Sequence, residues 1–284
     1  MFSTNKIMSA IGAAGLAVTM LSGAASAADL YGSVKDAPPP VDEGRKFNFS
    51  WNVGGTTDYI FRGFSQSARD PAWQVGAAVS YGILYAGIWS SHIDFGDVGP
   101  NHVASAEIDL YAGIKPTWGP ATFDFGVIYY WYPGALGGTN LDYTELKAGV
   151  SGAFIPKLDK LTLGYTGFYT WEGTAKTGEI FTSEFSAAYE LPKIWVFTPT
   201  VSALFGYVAG NNGFNFTNFV GNGKDNYMYW NAGLALAVDK LTLDFRYWDT
   251  NIADSNAVLG STNFCHGQTF QCSGTFVFTA KLTF

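Results

Sequence analysis

The sequence predicts an all-β protein, a transmembrane antiparallel up-and-down β-barrel of twelve strands, on three observations. Charged residues are only 14% of the 284 while aromatics reach 17%, against about 25% charged in a soluble domain. From residue 47 onward side chains alternate apolar and polar with period two, and mid-strand charges keep to one parity. Lipid-facing Arg or Lys costs about 2–4 kcal/mol at the midplane, so that parity marks one lipid face and one wet face. The links between alternating segments are short and long by turns, as in a barrel whose chain ends share one side of the membrane.

Residues 1–27 read as a secretory signal: Lys6 gives the positive start, residues 7–21 the apolar stretch, and Ala25-Ser26-Ala27 a small-residue cleavage site after Ala27. That stretch falls short of the ~20 residues of a spanning helix. Residues 28–46, with Pro38-Pro39-Pro40, read as a polyproline-like periplasmic leader, and 47–284 as the barrel. The longest later apolar run, 196–210, is broken by Pro199 and by Thr198, Thr200 and Ser202, so no helix is expected to hold the chain in the inner membrane. A net charge of −7 argues against nucleic acid as a partner.

The first strand turns Phe47, Phe49, Trp51 and Val53 outward, and the same parity continued through Tyr59 and Phe61 puts Asp58 and Arg62 on the polar face. The second turns out Trp73, Val75, Ala77, Val79 and Tyr81; the third Tyr85, Trp89, Ile93 and Phe95, with Ile88 on the wrong side. In the fourth, Ala104 to Ile114 alternate with Glu107, Asp109 and Tyr111; in the fifth, Phe123 to Trp131 with Asp124; in the sixth, Thr144 to Phe154 with Glu145 and Lys147. The seventh sets Leu161, Leu163, Tyr165, Tyr169 and Trp171 against threonines, and the eighth sets Phe181, Phe185, Ala187 and Tyr189 against Glu184. The ninth, 194–208, is apolar on both parities and carries Pro199, which marks a bulge or a strand end. The tenth turns out Met228 to Val238, the eleventh opposes Leu241 to Tyr247 with Asp244 and Arg246, and the last opposes Phe276 to Phe284 with Lys281.

Tight links follow the even strands, at 82–83, 115–119, 156–159, 191–193 and 239–240; longer ones follow the odd strands, up to 210–226 and 251–273. Trp118, Tyr189 and Trp195 gather at one end, and Trp131, Trp171, Tyr207 and Tyr227 at the other, as interface girdles would. Cys265 and Cys272 sit close together in Cys-His-Gly-Gln-Thr-Phe-Gln-Cys, which in an exported chain reads as a small disulfide loop. A metal site built with His266 matches no common zinc pattern. No metal and no cofactor is expected.

The inferred inner face carries Asp58, Glu107, Asp109, Asp124, Glu145, Glu184 and Asp244 against Arg62, Lys147, Arg246 and Lys281, seven acids to four bases. Two readings stay open: a salt-bridge network filling a narrow barrel, or a water-filled passive channel for small polar solutes or ions that mildly favours cations. Twelve strands lie between filled eight-stranded barrels and open porins of sixteen or more. A closed structural or ligand-binding barrel working through its loops is an alternative, with 210–226 or 251–273 folding inward or facing a partner. An outer-membrane lipid hydrolase is a further one, but it needs a nucleophile with a positioned base. Only His92, His102 and His266 are available, in or near loops, so no enzyme is expected. Outer-membrane lipid is the expected surrounding; monomer and homo-oligomer both stay open.

Five stretches resemble the TorF family of porins from Gram-negative bacteria: Asp58-Tyr59-Ile60-Phe61-Arg62-Gly63-Phe64-Ser65-Gln66, Tyr85-Ala86-Gly87-Ile88-Trp89-Ser90, Glu107-Ile108-Asp109-Leu110-Tyr111-Ala112-Gly113, Tyr129-Tyr130-Trp131-Tyr132-Pro133-Gly134 and Asp142-Tyr143-Thr144-Glu145. Their order and spacing cover roughly residues 47–150; the second half is similar mainly in character. The resemblance implies an outer-membrane barrel with a pore and brings no agreed substrate. The final strand, ending on Phe284, resembles the C-terminal signal read by the outer-membrane barrel assembly machinery.

Overall fold

A computed structural model describes residues 47–211, 225–252, 257–258, 262–263 and 269–284. Twelve long strands form it: β1 Phe47–Thr56, β2 Ala72–Tyr81, β3 Leu84–His92, β4 Ala106–Ile114, β5 Ala121–Trp131, β6 Tyr143–Gly152, β7 Leu161–Thr170, β8 Glu179–Glu190, β9 Thr198–Asn211, β10 Asn226–Val238, β11 Leu241–Thr250 and β12 Thr275–Thr283. Each pairs antiparallel with its chain neighbours, and β12 pairs with β1, so the sheet closes. Closure removes the unpaired sheet edges that lipid could not hydrogen-bond.

The surface is inverted relative to a soluble protein. Phe49, Trp73, Leu110, Phe185 and Phe276 are exposed on the outside, while Glu107, Asp109, Glu145 and Asn231 are buried inside. The closing seam is short, running from Asn52↔Thr283 to Thr56↔Thr279. Trp51 and Phe284 extend it by exchanging backbone hydrogen bonds at 3.1 and 2.9 Å and stacking their rings 4.0 Å apart.

Gly82-Ile83 and Asp239-Lys240 are two-residue hairpin links, and all links after even strands are shorter than those after β1, β9 and β11. One end of the barrel is thus a short-turn end carrying the C-terminus, the other a long-loop end. The loops expected at 210–226 and 251–273 lie mostly outside the described residues, as do the signal and leader (1–46), Cys265 and His266.

Four sequence expectations are corrected. The first strand stops at Thr56 and the chain then turns into the barrel, so Tyr59, expected outward, is 2% exposed. The third strand has the opposite parity: Tyr85, Trp89, Ile93 and Phe95 are buried inside, and Leu84 and Ile88 face out. Aromatic side chains can face inward there because another segment of protein, rather than water, covers them. Ala104 is likewise buried rather than outward. The ninth strand begins at Thr198, not at 194, because Ile194 and Phe197 bond to each other in a turn with Trp195 at φ 53°. Pro199 then falls at the strand's second residue, where only its carbonyl is used, by the Leu191 amide.

Candidate functional site

The segment after β1 is the unexpected feature. Ile60–Phe61 and Phe64–Ser65 pair with each other as a miniature hairpin, Ile60↔Ser65 and Phe61↔Phe64. Arg62 (φ 49°) and Gly63 (φ 87°) form its tip, both left-handed as a two-residue type I′ turn requires. A Cβ on Gly63 would lie 2.5 Å from Thr250 Cγ2, so only glycine fits there.

The hairpin divides the long-loop half of the lumen. Tyr59 and Phe61 pack on one wall with Trp89, Ile128 and Tyr130, while Ile60 and Phe64 pack on the opposite wall with Leu204, Tyr227, Tyr229 and Trp248. The Tyr59 and Trp89 rings meet edge to face at 5.3 Å. The hairpin's backbone is tied to other loops: the Ser65 amide donates to the Gln271 carbonyl and the Asp94 amide to the Gln66 carbonyl, each at 2.8 Å. Phe270, from the last loop, packs on Phe95 with centroids 4.6 Å apart.

Polar side chains fix the hairpin in this setting. The Arg62 guanidinium donates to both Glu145 oxygens, at 2.7 and 2.9 Å. Its Cζ stands 4.7 Å from the centroid of Phe61 and 4.8 Å from that of Phe168 on β7. Tyr130 donates to the same Glu145 at 2.8 Å, and Tyr227 donates to the Arg62 carbonyl at 3.0 Å. Tyr59 donates to Glu107 at 2.9 Å, Tyr229 donates to Glu184, and Asp109 is fully buried on the same stretch of wall. Asp58 accepts from Ser65 and Ser67 at 2.6 and 3.1 Å. Burial pushes its carboxyl above the usual range, against those hydroxyl bonds.

The short-turn half holds two further groups. Asp124 accepts from Tyr85 at 2.6 Å and pairs with Lys147 at 2.9 Å and Lys115 at 3.5 Å. Arg246 bonds Asp244, Asn231 and Ser202 at 2.6 to 3.0 Å. Lys281 is buried next to Gly54 of β1. Contacts between strands that are not neighbours, such as Arg246 of β11 with Ser202 of β9, are possible only across the interior.

Sequence reasoning missed Lys115, which sits in a link, and Arg69, which donates to Ser273 at 2.9 Å. Among the described residues, these two bring the interior count to seven acids and six bases. The parity rule could not have found Tyr59, Tyr85 and Trp89, but the Arg62-Gly63 pair between short apolar runs was a hairpin signal. Among the described residues no group of His, Cys, Asp and Glu is arranged to hold a metal ion. Ser91 Oγ donates to the Trp73 and His92 carbonyls and not to an imidazole.

A family model described as a bacterial protein of unknown function, Gcw_chp, matches residues 42–284. The chain belongs to the Gcw_chp family. No curated protein matches it. Among solved structures, the NanC porin is similar at 12% identity and a TM-score of 0.52, over 82% of this chain and 98% of that one. At that identity the likeness shows the fold. LpxR from Salmonella typhimurium (9% identity, TM-score 0.44, 83% and 99% covered) and the outer membrane channel DcaP of Acinetobacter baumannii (8%, 0.38, 88% and 100%) are similar at lower scores. This Gcw_chp chain therefore has the fold of outer-membrane barrels, with the lumen-crossing hairpin as the site to explain.

Proposed function

We propose that the protein is an outer-membrane porin that lets small polar solutes or ions diffuse passively, with its outer mouth narrowed by the first loop. The observation that carries this is the inverted barrel itself: an apolar outer band around an inner face of charged and hydroxyl-bearing side chains. The short-turn end would face the periplasm and the long-loop end the exterior. Export through a signal cleaved after Ala27, assembly through the barrel assembly machinery with Phe284 in its signal, and a Cys265–Cys272 disulfide belong to the same reading. The resemblance to TorF porins, whose matching stretches run over roughly residues 47–150 and include 58–66, supports it. Seven acids to six bases leave at most a mild cation preference.

The test is single-channel recording in a planar bilayer with ion substitution. Small, weakly cation-favouring conductance is expected; no conductance from heat-modifiable, folded protein, or a clear anion preference, would sink the reading. One observation favours the alternative of a closed barrel working through its loops: Trp89, Tyr130 and Tyr229 are at most 1% exposed, as in a packed core. Deleting 60–65 separates the two, since a plugged pore should then conduct several-fold more and a closed structural barrel should not. A lipase assay before and after His92→Ala addresses the remaining hydrolase alternative.

A further inference from the structure

Arg62 belongs to a turn, yet its head group is held as a bound ligand would be. Its fork engages both oxygens of Glu145, and its Cζ stands 4.7 and 4.8 Å from two aromatic centroids, Phe61 and, on the barrel wall, Phe168. Around it the wall carries the buried carboxylate of Glu145 on β6, which also takes the Tyr130 hydroxyl, and that of Glu107 on β4, which takes the Tyr59 hydroxyl just before the hairpin. The element that brings Arg62 is no part of the barrel sheet: its two short strands pair only with each other, and its backbone is held from outside by the Gln271 carbonyl and by the Tyr227 hydroxyl on the Arg62 carbonyl.

We propose that the wall formed by Glu145, Phe168 and Tyr130 is a binding site for a solute carrying a guanidinium group, occupied in this structure by Arg62 as its stand-in. A two-pronged carboxylate contact with an aromatic face suits a flat, delocalised cation better than a compact ammonium. Such a solute enters by displacing the hairpin, so binding and opening are one event. The inference deepens the passive-channel reading by naming a class of solute, and it rests on that reading for the route and not for the site.

The experiment uses the full-length protein, folded in detergent and checked by heat-modifiable migration. In Arg62→Ala the vacated site should take up N-ethylguanidinium, the end of the missing side chain. Calorimetric titration should show binding at least tenfold tighter than for ethylammonium or the uncharged N-ethylurea, and Arg62→Ala/Glu145→Gln should abolish it. If Arg62→Ala does not fold, Arg62→Gly carries the same test, because glycine adopts the φ of 49° at that position without strain and still leaves the site vacant. In the unaltered protein, millimolar agmatine should accelerate amide hydrogen exchange at residues 61–64. Equal binding of the three probes, binding indifferent to Glu145→Gln, or exchange unmoved by agmatine would overturn the site. Bilayer recording of the same samples separates the two claims: current without guanidinium selectivity removes the site and leaves the channel, and selective binding without current in any variant does the reverse.

Discussion

In the long-loop half of the lumen, Trp89, Tyr130, Tyr229, Glu107 and Glu145 are each no more than 1% exposed, whereas Asn48, Ser50, Gly149, Ser151, Thr162 and Gly164 in the short-turn half are only partly covered. The same twelve strands line both halves. What differs is one crossing hairpin, which turns the long-loop wall into the surface of a protein core; the short-turn half buries Arg246 and Asp244 against each other and leaves the inward positions of β6 and β7 partly covered.

Removing an anchor from each half should break or sharpen that contrast, and the largest effect is expected at Glu145. Glu145→Ala would strand the Arg62 guanidinium, whose side chain is 9% exposed, without its partner, at a cost of about 3–5 kcal/mol. Asp124→Ala leaves Lys115 and Lys147 near lumen water and should cost less than half as much. Lys160→Ala at the exposed Lys160–Glu190 pair should cost below about 1 kcal/mol. Urea midpoints of the detergent-folded proteins rank the three; equal losses would mean that the halves are not packed differently.

The same contrast explains what the sequence disclosed. Period-two alternation finds a strand wherever one side meets lipid and the other meets water or an ion pair, as in β5 with Asp124 or β11 with Asp244 and Arg246. The links Gly82-Ile83 and Asp239-Lys240 were equally legible, because two-residue turns leave little choice. Alternation fails where both sides are apolar for different reasons. Trp89 packs on Tyr59 beside a hairpin that the strand's own sequence does not reveal, and Tyr85 reaches Asp124 two strands away, so both read as lipid-facing. Asp58 and Arg62 were placed on the inner face, but as members of a strand. The true role of Arg62 depends on Glu145, 83 positions further along, and local pattern carries no information on such a pairing.

Two glycines give a smaller, local comparison. A Cβ at Gly206 would come within 2.1 Å of the Tyr229 ring, which lies across β9 to reach Glu184. Gly206→Ala should therefore cost about 1–3 kcal/mol through overpacking. At Gly149 the nearest atom is the Thr166 hydroxyl at 2.9 Å, which can rotate away, so Gly149→Ala should cost below about 1 kcal/mol. A Gly149 variant as damaging as the Gly206 variant would show the wall at β6 and β7 to be as tightly packed as that beside Tyr229. Smaller again, Phe284→Ala removes a parallel stack on Trp51 at the rim seam, worth about 0.5–1.5 kcal/mol beyond area burial. It should lower the unfolding midpoint slightly while leaving the hairpin's hydrogen exchange unchanged.

The smallest effect concerns a second outer hairpin that stays outside. Asp97–Val98 and Asn101–His102 pair as Asp97↔His102, exposed where 60–65 is buried. His102 Nδ1 lies 2.9 Å from Asp97 Oδ1, and that hydrogen bond holds the imidazolium above the usual 6.5, with Asp94 also contributing. A histidine pKa raised on folding adds stability that is complete below the unfolded value and disappears as pH rises through the folded one. The ribbon should thus open more readily on going from pH 6 to pH 8, seen as faster exchange at 97–102 after correction for intrinsic rates, while 60–65 is unaffected. His102→Gln should remove the dependence, and a pH response in both hairpins would show that they move as one unit, so that the outer half could not be credited to the buried hairpin alone.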